Sequence, residues 1–128
     1  MRPFDYVSPT ATKQVPDLLG KSWGEVEVLA GGSDLLSLMK DEVTTPKRLV
    51  NIKHVTELHG VASAKDQLTI GTLTTLAEIA ADKTVQLLYP TLSAAAGDAA
   101  SPQIRNVATL GGNLALISNR PYACANLP

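Results

Sequence analysis

The stretch VLAGGSDLLSLMK, residues 28–40, decides the fold because two glycines join two different apolar patterns within it. The run EVEVLA at 25–30 has the alternating, β-branched composition of a strand. The run DLLSLMK at 34–40 has the composition of a short helix. A strand that leads directly into a helix is typical of a βαβ unit with parallel strands. The sequence therefore predicts an α/β unit that turns at Gly31 and Gly32.

Further elements are predicted on both sides of this turn. They are strands at 4–7 and 47–52, a helix at 10–20 that stops at Gly20, a hairpin at 60–71 that turns at Lys65-Asp66, a helix at 75–81 opened by a Thr75–Glu78 capping box, and an alanine-rich helix at 89–100 with Pro90 in its first turn. Because an interior proline is unfavourable, the helix at 10–20 is expected either to start near Pro16 or to bend there. A boundary near 54–60 is expected to divide the chain into residues 1–55, a parallel βαβ half, and residues 56–128, a hairpin-and-helix half. The fold class is therefore α/β (α+β).

Composition excludes several classes of function. The chain has 128 residues, of which 45% are hydrophobic and 4% aromatic, so its core must consist of aliphatic side chains. The net charge of −1, without a basic block, gives no electrostatic reason for binding nucleic acid or a membrane surface. The single Cys124 excludes an internal disulfide and a cysteine-rich metal site, and no secretory signal is visible. We expect a cytoplasmic domain.

The first glycine pair has the features of a phosphate-binding turn. Glycines between a strand and a helix adopt positive φ easily and bring backbone N–H groups close to a ligand. Ser33 and Asp34 are expected near the start of the helix that follows. The GKS at 20–22 is not a P-loop, because Val15 stands where its first glycine belongs. The G-x-G-x-x-G spacing of Rossmann folds is also absent. A tight turn without a ligand remains the alternative.

A second stretch, RNVATLGGNLA at 105–115, repeats the pattern of a glycine pair after a short apolar run. We interpret Gly111 and Gly112 as a second loop, followed by Asn113, whose amide can meet a polar partner. Two such loops can hold one extended ligand from two sides. An ordinary turn is the alternative here as well.

No constellation for acid–base, nucleophilic or metal chemistry is apparent. His54 and His59 lack a carboxylate or cysteine at a useful spacing, so surface or capping roles are expected. Arg105 suits either an anion or a helix end, and Trp23 suits packing. The sequence predicts no catalytic side chain and no metal ligand.

Three stretches carry a resemblance to a known family. RPFDYVSP at 2–9, VLAGGSDLLSLMK at 28–40 and SPQIRNVATLGGNLA at 101–115 resemble the FAD-binding medium subunit of the molybdenum hydroxylases. That family includes the flavoproteins of xanthine dehydrogenase, aldehyde oxidoreductase and carbon monoxide dehydrogenase. The resemblance covers most of the chain, in the same order, and implies the N-terminal portion of a PCMH-type FAD-binding domain.

The resemblance also implies which residues bind FAD. The first turn would hold the pyrophosphate, and the second stretch would approach the flavin. The implied residues are Leu29, Ala30, Gly31, Gly32, Ser33, Asp34 and Leu35, followed by Thr109, Leu110, Gly111, Gly112 and Asn113.

The function implied by the resemblance is electron transfer within an oxidoreductase complex. The partners would be a molybdopterin-binding large subunit and a [2Fe–2S] small subunit, and FAD would pass electrons to NAD or another acceptor. An aldehyde or xanthine dehydrogenase type is implied. Two alternatives remain open: an interaction domain that keeps the fold without flavin, and a fragment of a flavoenzyme of the UDP-N-acetylenolpyruvoylglucosamine reductase type.

Two features depart from the family pattern. Family subunits are at least twice as long, so truncation just after the second stretch is expected. The segment LALISNRPYACANLP at 114–128 does not continue the pattern, and its last ten or so residues are expected to form an irregular end. A single cysteine cannot hold the iron–sulfur cluster that some relatives carry after this point.

Overall fold

A computed structural model describes residues 1–22, 24–65 and 67–119. Within these residues the strands are β1 (Asp5–Val7), β2 (Val26–Leu29), β3 (Arg48–Asn51), β4 (Val61–Ala64) and β5 (Gln67–Ile70). The helices are α1 (Val15–Leu19), α2 (Leu35–Lys40), α3 (Leu76–Ala81), α4 (Lys83–Leu88), α5 (Pro90–Asp98), α6 (Pro102–Arg105) and α7 (Leu110–Asn119). Short 3₁₀ turns cover Thr12–Gln14 and Thr56–Leu58. None of the described helices is long and apolar enough to cross a membrane.

The first half of the chain is a three-stranded parallel sheet in the order β1-β3-β2. The central strand β3 is the buried one, since Leu49, Val50 and Asn51 are almost inaccessible to solvent. In β2, Val28 pairs with Val50 and Leu29 with Asn51, so β2 ends beside the buried end of β3. The turn that follows Leu29 therefore begins at a fixed point of the sheet.

The second half combines an antiparallel hairpin, β4–β5, with the helices α3 to α7. Its core is formed by Leu76, Ile79, Val85 and Ala96, against which the hairpin packs one face. The N-terminus of α3 is closed by the predicted capping box: Thr75 accepts a hydrogen bond from the N–H of Glu78, whose carboxylate accepts one from the N–H of Thr75. These contacts fix the segment on which α7 rests.

Most of the predicted elements are confirmed, and the second glycine loop is wrong. The helix predicted at 10–20 is divided into a 3₁₀ turn and α1, with Pro16 in the first turn of α1, where proline is tolerated. No helix was predicted where α4 lies; this helix follows α3 after Asp82 alone. Gly111 and Gly112 do not form a loop, because they lie in the first turn of α7.

Four other predictions concern residues outside the described ranges or the division of the chain. Trp23, Asp66 and the expected irregular end from residue 120 onwards lie outside the described residues. Residues 117–119, which were included in that irregular end, are helical. The division into residues 1–55 and 56–128 stays a prediction.

The capping box predicts how stability depends on pH. Hydrogen bonds from the backbone N–H and then the hydroxyl of Thr75 lower the pKa of the Glu78 carboxyl. A carboxyl with a lowered folded-state pKa stabilises the fold above its unfolded pKa of about 4.3, and that stabilisation is lost as the pH falls through the folded-state value. We expect Glu78→Gln to lower the free energy of unfolding at pH 7 and to match the parent in strong acid.

Urea unfolding followed by circular dichroism between pH 7 and pH 3 measures this difference. Asp98→Asn is the matched control, since it removes an exposed carboxylate that has no hydrogen bond or ion pair within the described residues. A Glu78→Gln deficit that persists unchanged in acid would contradict the role of the ionised carboxylate.

Candidate functional site

The backbone turn after β2 is shaped by Gly32. Leu29 is buried at the end of β2, and α2 begins at Leu35, so Ala30 to Asp34 must reverse the chain over five residues. Gly32 has φ of +87°, a conformation that costs other residues about 1–2 kcal/mol. Of the four glycines in the two pairs, it alone has a positive φ. The positive φ predicted for the first pair is therefore confined to Gly32.

Backbone donors of this turn are free to meet a ligand. The N–H groups of Gly31, Gly32 and Ser33 donate to no acceptor among the described residues. The carbonyl oxygen of Gly32, in contrast, is used, because it accepts a hydrogen bond from the N–H of Leu36 at 3.2 Å. Three neighbouring free donors suit an anion, for which each hydrogen bond to a charged acceptor contributes about 1.5–3 kcal/mol.

The second glycine pair is built differently. The N–H of Gly111 donates to the carbonyl oxygen of Thr72 at 2.8 Å, and the N–H of Gly112 donates to the Thr109 hydroxyl at 3.2 Å. The Asn113 N–H bonds to the carbonyl oxygen of Thr109 at 2.9 Å. These donors are occupied within the protein, so the second stretch does not repeat the free donors of the first. The second stretch can therefore contact a ligand through its side chains and the shape of its backbone, but not through free N–H groups.

The two stretches touch through Gly31. A Cβ atom on Gly31 would overlap the carbonyl oxygen of Val107 and would lie 3.1 Å from the Cα of Ala108. Gly111 makes a similar approach behind the site, where a Cβ would lie 2.8 Å from the Cβ of Thr72. Because the obstacle at Gly31 is backbone, no side-chain rotation can relieve the overlap. Gly31 thus allows the turn to lie directly against the segment before α7.

Together the two stretches form one groove of about 340 Å³. Most of the predicted site residues line it, namely Ala30, Gly31, Gly32, Ser33, Asp34, Leu35, Thr109, Gly112 and Asn113. Three predicted residues are not part of the lining. Leu29 is buried below the turn, Leu110 packs against the core of the second half, and Gly111 faces Thr72.

Sequence reasoning missed other residues of the groove wall. They are Glu27 and Val28 on β2, Leu38 on α2, Val43 and Thr44 after α2, Ala108 before α7, and Ala115 within it. The alternation of β2 was visible in the sequence, but nothing local indicates which strand residues face a groove whose far wall is about 80 residues away. Val28, Leu38 and Val43 give one side of the groove an apolar surface.

Charge in the groove comes from two carboxylates. Glu27 and Asp34 line it, and no lysine or arginine does so within the described part of the chain. Burial raises the pKa of the Glu27 carboxyl. Asp34 accepts a hydrogen bond from the Ser33 hydroxyl at 3.3 Å. Among the described residues, backbone donors and not cationic side chains are therefore available to hold an anionic ligand.

The remaining candidate residues lie away from the groove. Arg105 donates two hydrogen bonds of 2.9 Å to the carbonyl oxygens of Ala99 and Ala100, so it secures the chain after α5. A His59 ring nitrogen lies 3.2 Å from the carbonyl oxygen of Lys53. Among the described residues, no group of three or more histidine, cysteine or acidic side chains is placed to hold a metal.

Comparison with known families gives a match over almost the whole chain. The family described as "FAD binding domain in molybdopterin dehydrogenase" matches residues 2–126. FAD is the cofactor that this family binds.

Relatives of known name agree with that match. The chain is 34% identical over 112 residues to the carbon monoxide dehydrogenase medium chain of Hydrogenophaga pseudoflava, covering 88% of this chain and 39% of the relative. It is 41% identical over 91 residues to the xanthine dehydrogenase FAD-binding subunit of Escherichia coli O157:H7, covering 70% of this chain and 31% of the relative. The chain thus spans less than half the length of these relatives.

Solved structures share the fold. Carbon monoxide dehydrogenase from Hydrogenophaga pseudoflava superposes with a TM-score of 0.85 at 33% identity, over 89% of this chain and 40% of that chain. Quinoline 2-oxidoreductase from Pseudomonas putida 86 superposes with a TM-score of 0.83 at 30% identity, over the same two shares. The α/β, PCMH-type fold predicted from the sequence is confirmed.

The contact at Gly31 predicts a large effect of one methyl group. We expect Gly31→Ala to lower the free energy of unfolding by at least about 2 kcal/mol, because the added Cβ meets backbone that cannot move aside. Gly97→Ala is the control: its Cβ would lie 3.7 Å from that of Ala80, an ordinary contact, and alanine is favoured in a helix by about 1 kcal/mol.

Urea unfolding of both variants measures the difference. Equal stability of Gly31→Ala and Gly97→Ala would show that the close approach of the turn to Val107 does not stabilise the fold.

Proposed function

The chain belongs to the family of FAD-binding domains in molybdopterin dehydrogenase, and we propose that it is the FAD-binding part of an electron-transfer subunit in a molybdenum-containing oxidoreductase. The names of its relatives support this proposal, since they are medium chains and FAD-binding subunits of dehydrogenases. The proposed partners are a molybdopterin-binding large subunit and a [2Fe–2S] small subunit.

The observation that carries the proposal is the row of free N–H groups in the turn after β2. The groups of Gly31, Gly32 and Ser33 lack acceptors among the described residues, and a pyrophosphate supplies acceptors of the right charge. These residues fit FAD because the bare backbone of the glycines leaves room for phosphate oxygens to approach. With only six residues, α2 contributes little beyond its first-turn donors.

The second stretch is proposed to complete the site from the opposite side. Thr109 accepts a hydrogen bond from Gly112, which leaves the hydroxyl proton of Thr109 for an acceptor on the cofactor. The Asn113 amide has no partner among the described residues and lines the same groove. In this proposal Leu29, Leu110 and Gly111 do not contact the cofactor. They hold the two walls of the groove in position.

Side chains of this domain orient the cofactor and perform no acid–base step. Bound FAD supplies the redox chemistry, through which electrons from the molybdenum centre and the iron–sulfur clusters of the partners reach NAD or another acceptor. An aldehyde or xanthine dehydrogenase type is proposed for the whole enzyme. The cytoplasmic location stays a prediction.

Titration with FAD tests the proposed function. We expect saturable quenching of flavin fluorescence on addition of the purified protein, and yellow protein after gel filtration of the mixture. Circular dichroism of the same sample reports whether the protein is folded. A folded, colourless protein that leaves flavin fluorescence unchanged would contradict the proposal and favour an interaction domain.

Substitution of Gly32 separates a phosphate-binding turn from a merely structural one. Gly32→Val excludes the positive φ and removes free donors from reach of the pyrophosphate. The loss of two hydrogen bonds to a charged acceptor corresponds to a decrease in FAD affinity of about a hundredfold or more. Gly112→Val is expected to weaken binding less, since its Cβ would lie 3.0 Å from the Thr109 hydroxyl oxygen, which can adjust.

Gly24→Val is the matched control for backbone strain. Gly24 has φ of +79°, has open space where a Cβ would stand, and does not line the groove. Its substitution should lower stability and leave FAD affinity unchanged. If Gly32→Val binds FAD as tightly as Gly24→Val, the glycines only turn the chain.

A further inference from the structure

Glu27 is an unpaired carboxylate in the wall of the groove. It lies on β2, five residues before Gly32, and forms no hydrogen bond or ion pair within the described residues. Its neighbour Glu25 differs, because its carboxylate is exposed and lies 2.6 Å from the Lys47 ammonium nitrogen. Glu27 is half-buried, so its carboxylate can meet water or a bound ligand.

The surroundings of Glu27 make a bare carboxylate costly. Its charge is partly removed from water, which raises the pKa of its carboxyl. The groove lining also includes the apolar residues Val28, Leu38 and Val43, and no cation among the described lining residues offsets the charge. A hydrogen-bond donor on a bound ligand would offset this cost.

The position of Glu27 selects which part of a ligand it meets. The free donors for phosphate lie at Gly31 to Ser33, four to six residues from Glu27 and therefore at most about 20 Å of extended chain away. A carboxylate repels a second phosphate, so the ligand must turn an uncharged part towards this wall. Both uncharged parts of a flavin dinucleotide, the adenosine and the riboflavin, carry hydroxyl and N–H donors.

We propose that Glu27 is a positioning residue, which accepts a hydrogen bond from a hydroxyl or N–H group at an uncharged end of the dinucleotide. The proposal rests on the proposed function, since it assumes that the pyrophosphate lies at the Gly31–Ser33 turn. Glu27 then fixes the direction of the ligand in the groove: phosphate at the glycines, nucleoside or flavin side at β2. It also disfavours ligands with a further phosphate at that end.

The direction in which Glu27→Gln changes FAD affinity separates this role from that of a carboxylate that does not contact the ligand. FAD is an anion, so removal of a non-contacting carboxylate should tighten its binding. Loss of a hydrogen bond to a charged acceptor should weaken FAD binding by about tenfold or more. Glu27→Asp, which keeps the charge and shortens the reach, is expected to weaken binding as well, and Glu25→Gln is the control outside the groove, expected to bind as the parent does.

Titrations of these variants with FAD, ADP and FMN, with circular dichroism to verify folding, provide the test. A loss of affinity that recurs with ADP but not FMN supports contact with the adenosine, and the reverse supports contact with the riboflavin. Unchanged or tighter binding of FAD by Glu27→Gln overturns the proposal while the proposed function stands. Equal losses in Glu27→Gln and Glu25→Gln also overturn it. Absence of FAD binding in the parent overturns the proposed function, and this inference with it.

Discussion

The missing side chain at Gly31 is the constraint on which the groove depends. It allows the backbone turn after β2 to lie against the backbone of Val107 and Ala108, with no side chain between them. The turn is fixed on one side by the buried end of the parallel sheet and on the other by this contact. One wall of the groove therefore belongs to the first half of the chain and one to the second, and their separation is set by backbone alone.

The four paired glycines serve three different purposes. Gly31 and Gly111 allow close approach, to Val107 and Thr72 respectively. Gly32 provides the positive φ that reverses the chain. Gly112 donates its N–H to Thr109 and lines the groove. In the proposed site an anion would be recognised by main-chain donors, whose positions do not depend on rotamers, and two carboxylates line the same groove.

Local signals in the sequence were sufficient for most of the fold. The Thr75–Glu78 spacing, Pro90 and the alternation of β2 each indicate an element without distant contacts. The helix α4 was missed because Asp82 ends α3 and caps α4 at once, leaving no polar stretch between them. A helical glycine at 111 was not predicted, because the need for glycine there comes from a distant contact: a Cβ would lie 2.8 Å from that of Thr72.

The groove itself was only partly predictable, for the same reason. The two glycine stretches could be paired, but whether their donors are free depends on carbonyl groups such as that of Thr72, which the local sequence does not reveal. Glu27 gave no signal, because a glutamate in an edge strand ordinarily faces solvent.

The contact between Gly31 and Val107 has a consequence for the order of events during protein synthesis. The turn leaves the ribosome about 75 residues before the segment that supports it, a delay of about 4–15 s at the usual rates of elongation. During that interval the strands of the parallel sheet emerge, while the backbone of Val107 that contacts the turn has not yet been synthesised. The groove proposed to hold FAD cannot be complete at that stage, so in this proposal cofactor loading follows emergence of the second half.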